Sequence, residues 1–266
     1  MRRTLDVLLS VAALVGGACL LSLLSNRCPR SIGCMGTAAS MQAPSATGRV
    51  LALLGLVIAS AVLARTAWIL AATRRACSAL TTVPIPPELA SAIARTGIRR
   101  VRCVDRSPVA VFCHGVLRPM VVIETAPLTT LAGSALDAVL LHEDAHRRHH
   151  DPLRRALRQA IRDVGWQSSL LGWWCQCAVV REELRADAWA AQHVGRPALA
   201  RALLDASSTP DMTSMPAFGD ATAARVTQLL GGRPRFPRLP TGALVRAGLS
   251  VVAVAAMVVC AALSSI

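Results

Sequence analysis

Ala138-Val139-Leu140-Leu141-His142-Glu143-Asp144-Ala145-His146-Arg147-Arg148 is the stretch whose reading decides the fold of this chain. It reads as one helix beginning near Ser134, with Asp137 three residues on as an approximate capping box. Residues four apart share a helix face, so His142 and His146 can reach one metal ion while Glu143 projects beside them. Two imidazoles then hold Zn²⁺, and the glutamate between them is placed to take a proton from a bound water. His146 and His150 are also four apart, but only His142 and His146 bracket a glutamate where that chemistry needs one. His149 and His150 are read as solvated or as lying just behind the ligands. Asp144 is read as pointing away from the metal.

Catalytic zinc usually takes three protein ligands and keeps one open position. The best source of the third is Arg181-Glu182-Glu183-Leu184-Arg185-Ala186-Asp187. Glu183 and Asp187 are four apart, so one carboxylate can bind zinc while the other orients a ligand or the helix. Alone, such a pair is an ordinary feature of an exposed helix. Its position downstream of the two histidines makes it the expected ligand source.

Between these motifs, Asp151-Pro152 reads as the cap and first residue of a further helix, Leu153 to Asp163. Its Arg154, Arg155, Arg158 and Arg162 read as a solvated or headgroup-facing side. Upstream, Thr82 to Pro87 reads as a stiff linker and Glu88 to Arg95 as a short helix. Val101 to Val104, Val109 to Cys113 and Met120 to Glu124 are β-like, and His114 reads as a loop histidine. A small sheet just before a metal helix offers an edge for an extended peptide.

His142 to His146 followed by Glu183-Leu184-Arg185-Ala186-Asp187 resembles the membrane gluzincin peptidases. Gly115-Val116-Leu117-Arg118-Pro119-Met120-Val121-Val122-Ile123 and His146-Arg147-Arg148-His149-His150-Asp151-Pro152-Leu153 are similar to segments of the BlaR/MecR-type antirepressor metallopeptidases. The resemblance covers roughly Val101 to Val194. It implies that His142, His146 and Glu183 bind zinc, that Glu143 is the general base and that Asp187 supports the site. His149 and His150 stand where that family more often has basic residues. No penicillin-binding sensor follows the last apolar run, so β-lactam sensing is not expected.

The surroundings of the motifs point to a membrane. Hydrophobic residues make up 53% of the 266, and the net charge of +14 comes from 29 arginines without a lysine. No basic helix with base-reading polar residues stands out, which argues against nucleic acid. Arginines flanking apolar runs fit a membrane protein better. Thr4 to Leu24, Val50 to Ala72 and Ala243 to Leu263 are each long enough to span a bilayer. A cleaved signal peptide is the other reading of the first run. Arg2, Arg3, Arg74, Arg75, Arg99 and Arg100 favour a cytoplasmic N-terminus. The loop from Asn26 to Arg49 then lies outside, where Cys28 and Cys34 could form a disulfide. Val164 to Val180 is apolar too, yet a full crossing there would part Glu183 from the histidines, so it is expected to be buried, interfacial or re-entrant. Gly231 to Arg238 is a basic linker, suited equally to an anionic membrane surface or to solvent.

The expected molecule is an α-helical membrane protein with a small α+β zincin-like metallopeptidase domain. Residues 1–80 hold two transmembrane helices and an external loop, 81–230 the zinc domain, and 231–266 the basic linker and last span. The expected activity is a zinc endopeptidase of the cell membrane, multi-pass, with a cytoplasmic catalytic domain and a protein or peptide substrate such as a transcriptional repressor. Its other partner is the lipid bilayer; no direct nucleic-acid contact is expected, and homodimerisation is open. The alternative is a catalytically silent membrane signalling or scaffold protein that keeps the zinc fold.

Overall fold

The computed structural model describes residues 46–245 and 248, apart from 108, 130, 132, 166–167 and 208–215. The run Thr4 to Leu24, Cys28 and Cys34, and nearly all of Ala243 to Leu263 lie outside the described residues. Two compact units are present, and Leu63–Leu244 is the one that carries the site. The described part of the other is essentially the first half of helix α1 (Ala46–Ser78).

Within α1, Ala52–Ser78 is long and apolar enough to cross a membrane, and no second helix among the described residues passes that test. Leu53, Leu54, Leu56, Val57, Ile58 and Leu63 stand exposed on it. An exposed apolar helix of this length is consistent with membrane anchoring. Arg65 sits over Trp68 and pairs with Asp163 at 2.7 Å.

The chain of the second unit is mostly helical, with one small sheet. After α1 come α2 (Pro87–Thr96), β1 (Val101–Val104), β2 (Val111–His114), β3 (Met120–Glu124) and α3 (Ser134–Arg148). Then follow α4 (Asp151–Val164), α5 (Ser169–Val194), α6 (Arg196–Ser207) and α7 (Pro216–Leu229). The sheet order is β1-β3-β2, with β3 parallel to β1 and antiparallel to β2. Val121, Val122 and Ile123 of β3 are all buried, the pattern of a strand covered on both faces. Thr82, expected in a plain linker, forms a bridge with Val104 on the edge strand β1.

Two turns rely on glycine. Gly97 ends α2 in the left-handed region, and Gly115 turns the chain after β2 at φ +108°, where a Cβ would lie 3.1 Å from the Arg118 carbonyl oxygen. β2 begins two residues later than expected and ends on His114, which is thus part of a strand rather than a loop.

One core holds the unit together. Leu89 and Ala92 of α2, Val121 and Ile123 of β3, and Leu136, Ala138, Leu140 and Leu141 of α3 meet Ala190 of α5 and Leu199 of α6 there. A smaller cluster, Val180 and Leu184 with Ala221 and Ala224, seats α7 on α5. The capping box expected at α3 is absent. Gly133 occupies the cap, and Asp137 accepts two hydrogen bonds from Arg95 at 2.9 and 2.7 Å, tying α2 to α3.

The apolar segment from Val164 to Val180 is not a unit. Helix α4 ends within it at Val164, and Ser168 caps α5 by accepting from the Leu171 N–H at 3.3 Å. From Ser169 the helix runs unbroken past Glu183 and Asp187 to Val194, with Cys175 and Cys177 buried along it. Trp173 donates to the Pro237 carbonyl at 2.8 Å, which lays the basic linker against this helix.

Candidate metal centre

α3 and α5 pack directly against each other, and their packing brings the two motifs together. The His142 and His146 rings meet edge to face with centroids 4.8 Å apart, and their Nε2 atoms are 3.2 Å apart. Glu183 completes a triangle: its Oε2 is 3.3 Å from His142 Nε2 and its Oε1 is 3.5 Å from His146 Nε2. All three side chains are largely sheltered from solvent. Glu143 lies half-buried on the same helix, and Asp144 turns away to accept from Arg147 at 2.6 Å and Arg148 at 2.5 Å.

Each histidine is held from behind by an aspartate, and each aspartate by an arginine. His142 Nδ1 is 2.9 Å from Asp187 Oδ1, and Arg225 of α7 donates to both oxygens of that carboxylate at 2.7 and 2.8 Å. His146 Nδ1 is 2.8 Å from Asp151 Oδ2, and Arg185 donates to Asp151 at 2.8 and 2.7 Å. Asp151 and Asp187 are fully buried. Ionised carboxylates only accept, so both Nδ1 atoms donate and both Nε2 lone pairs face inward toward Glu183.

Three acceptors turned on one another repel unless positive charge lies among them. The electrostatics of the site follow that demand. Burial pushes both imidazoles toward neutrality, yet Asp187 and Glu183 more than offset it for His142 and raise its pKa. For His146, Asp151 and Glu183 do the same, bringing it to about 9. Burial works against the charge of Glu183 too, but the two imidazoles hold its pKa well below the usual carboxylate range.

The donor set fits a zinc ion in type and in spacing. Ligands about 2.0–2.1 Å from one tetrahedral ion stand about 3.3 Å apart. The three observed separations bracket that value, and the ligand atoms form one cluster within 4.8 Å.

Several residues near the cluster depart from the sequence reading. Asp151 does not cap α4. His150 takes the cap position in the left-handed region at φ 52°, which swings Asp151 back toward His146. His149 and His150 do not depart from their reading: they stand off the cluster, His150 exposed, and bond the backbone carbonyls of Ala145 and Val116 at 2.8 and 3.1 Å. Arg158 leaves the solvated side of α4 assigned to it and donates to Glu182 at 2.6 Å, while Arg155 stays exposed and donates to Glu183 at 2.7 Å. Arg185 and Arg225 escaped sequence reasoning altogether. A basic residue on a helix carries no mark of which way it turns, and the only trace of Asp151 was its place in the family-like segment.

The description BlaR1 peptidase M56 matches residues 29–228 of this chain, three-quarters of its length. The chain belongs to the BlaR1 peptidase M56 family. No curated protein and no solved structure matches it. The M56 match includes the donor cluster, both aspartates and Arg225 at its far end.

Proposed function

We propose that the chain is a zinc endopeptidase of the cell membrane, with His142, His146 and Glu183 as the metal ligands and Glu143 as the general base. The observation that carries this reading is the closed cluster of three acceptor groups, each histidine backed by a buried aspartate. Family membership adds that the domain is a peptidase. A zinc ion bound there would acidify a water and polarise a peptide carbonyl.

The protein's own groups then handle the protons and the orientation. Glu143 takes the proton of the attacking water as its oxygen bonds to the carbonyl carbon. It later gives that proton to the amine nitrogen as the C–N bond breaks. Asp187 and Asp151 keep the two imidazoles in the Nδ1–H tautomer, and Arg225 and Arg185 keep those aspartates ionised. β2 is an outer strand of the sheet and packs on α3, so an extended substrate can add to it beside Glu143.

We further propose residues 81–230 as the peptidase domain, flanked by membrane-spanning segments and facing the cytoplasm, with a transcriptional repressor as substrate. The exposed apolar surface of α1 supports the membrane part of this reading. The repressor rests on the family resemblance alone. The direct test is Glu143→Gln in detergent-solubilised protein. Cleavage of a protein substrate should fall at least about 100-fold while one equivalent of zinc is retained. Unchanged cleavage would sink the peptidase reading.

A further inference from the structure

We propose that Arg155 meets the negative charge that develops on the substrate's carbonyl oxygen, making it a catalytic residue of the peptidase reaction above, on which this assignment rests. Its Nη2 lies 2.7 Å from Glu183 Oε1 and 3.4 Å from His146 Nε2, at the face of the donor triangle. Among the described residues, two arginines approach Glu183. Arg225 is 19% exposed and committed to Asp187, whereas Arg155 is 45% exposed. Of these two, Arg155 is therefore the one open to a substrate.

A second observation points the same way. A cavity of about 960 Å³ lies between the end of α1, β2 with its turn, and α4; Leu70, Arg74, Cys113, Val116, Arg155 and Ala156 line it. None of its described lining residues is acidic. Arg155 is the side chain shared by this cavity and the donor triangle.

Arg155 is also able to leave Glu183. Its Nε is 3.4 Å from Glu182, a buried carboxylate that Arg158 holds at 2.6 Å. When Glu183 serves a metal, the guanidinium keeps that second anchor and turns to the cavity side. As the water oxygen bonds to the carbonyl carbon, the carbonyl π pair moves onto oxygen. A guanidinium, charged at every working pH, donates to that oxygen. The charge disperses again when the C–N bond breaks and nitrogen takes the proton from Glu143.

The test uses the full chain in detergent, with Arg155→Met and Arg155→Lys. Its probes are zinc under chelator competition, the phosphoramidate dipeptide N-phosphoryl-Leu-Trp, and β-casein. Arg155→Met removes a cation that competes for Glu183, so zinc should bind about tenfold more tightly. The dipeptide, whose anionic phosphoryl group imitates the charged oxygen, should bind about 100-fold more weakly, and kcat on casein should fall about as much with KM little changed. Arg155→Lys should recover part of both losses, and it carries the same readouts if the methionine variant melts early. Zinc affinity falling in step with dipeptide affinity would make Arg155 a mere support for Glu183 and overturn the proposal. Equal dipeptide affinity in parent and variant would overturn it as well. A parent chain that takes up no zinc would overturn the peptidase reading along with it.

Discussion

At the scale of single residues, the two histidines are matched in their support but draw it from different places. Asp187 reaches His142 from α5, and Asp151 reaches His146 from the first turn of α4. Both aspartates orient an imidazole and raise its basicity toward a metal, so the two should matter alike. Asp187→Asn and Asp151→Asn should each weaken zinc binding by about 10–100-fold, read by chelator competition. An Asp151→Asn variant with parental affinity would reduce that residue to a helix-start role. Cys113 offers a second check. Burial, and after it the charge of Glu143, pushes its thiol up to about 12. The folded protein thus holds this proton at pH values where an unfolded chain has lost it. Alkylation of Cys113 by iodoacetamide should stay far slower than in urea-unfolded protein across pH 7–10. Between the ordinary thiol value and about 12 the native state binds more protons, so this group makes stability fall as pH rises.

At the scale of elements, α3 is held by its apolar face and read out by its polar one. Leu136 and Leu140 are buried in the core against α2, the sheet and α6, while His142 and His146 face α5. Leu140→Ala should cost about 2–5 kcal/mol in denaturant unfolding. Because α3 and α5 contribute all three proposed ligands, zinc affinity should fall with it. The existence of most elements was legible in the sequence. Val101–Val104 and Met120–Glu124 are strands where the sequence is β-like, and α3 starts at Ser134 as expected although the capping box that suggested it is absent. The ends were less legible. Asp137 and Asp151 resemble caps in the sequence, but a guanidinium, of Arg95, or a buried imidazole, of His146, is a stronger partner than an exposed helix-end N–H.

At the scale of the whole molecule, a metal ion would join α3 to α5, and behind them Arg185 and Arg225 tie α4 and α7 into the same network. Ligands that bind only the folded state stabilise it, by about 4 kcal/mol at a thousand times Kd. Removing zinc with a chelator should therefore lower the melting temperature, and added zinc should restore it; Glu183→Gln should blunt both changes. A melting temperature indifferent to chelator would argue against a metal that bridges these helices.

The sequence alone determined which atoms could meet. Helical spacing puts His142 and His146 on one face and Glu183 and Asp187 on another, because that periodicity is local. Only the tertiary structure decided that the two faces meet and what neutralises them. Asp151, Arg185 and Arg225 turn toward the site, and Arg155 reaches Glu183 from an exposed position, because packing forces buried carboxylates and imidazoles to find charged partners. No spacing along the chain records which of 29 arginines will supply them.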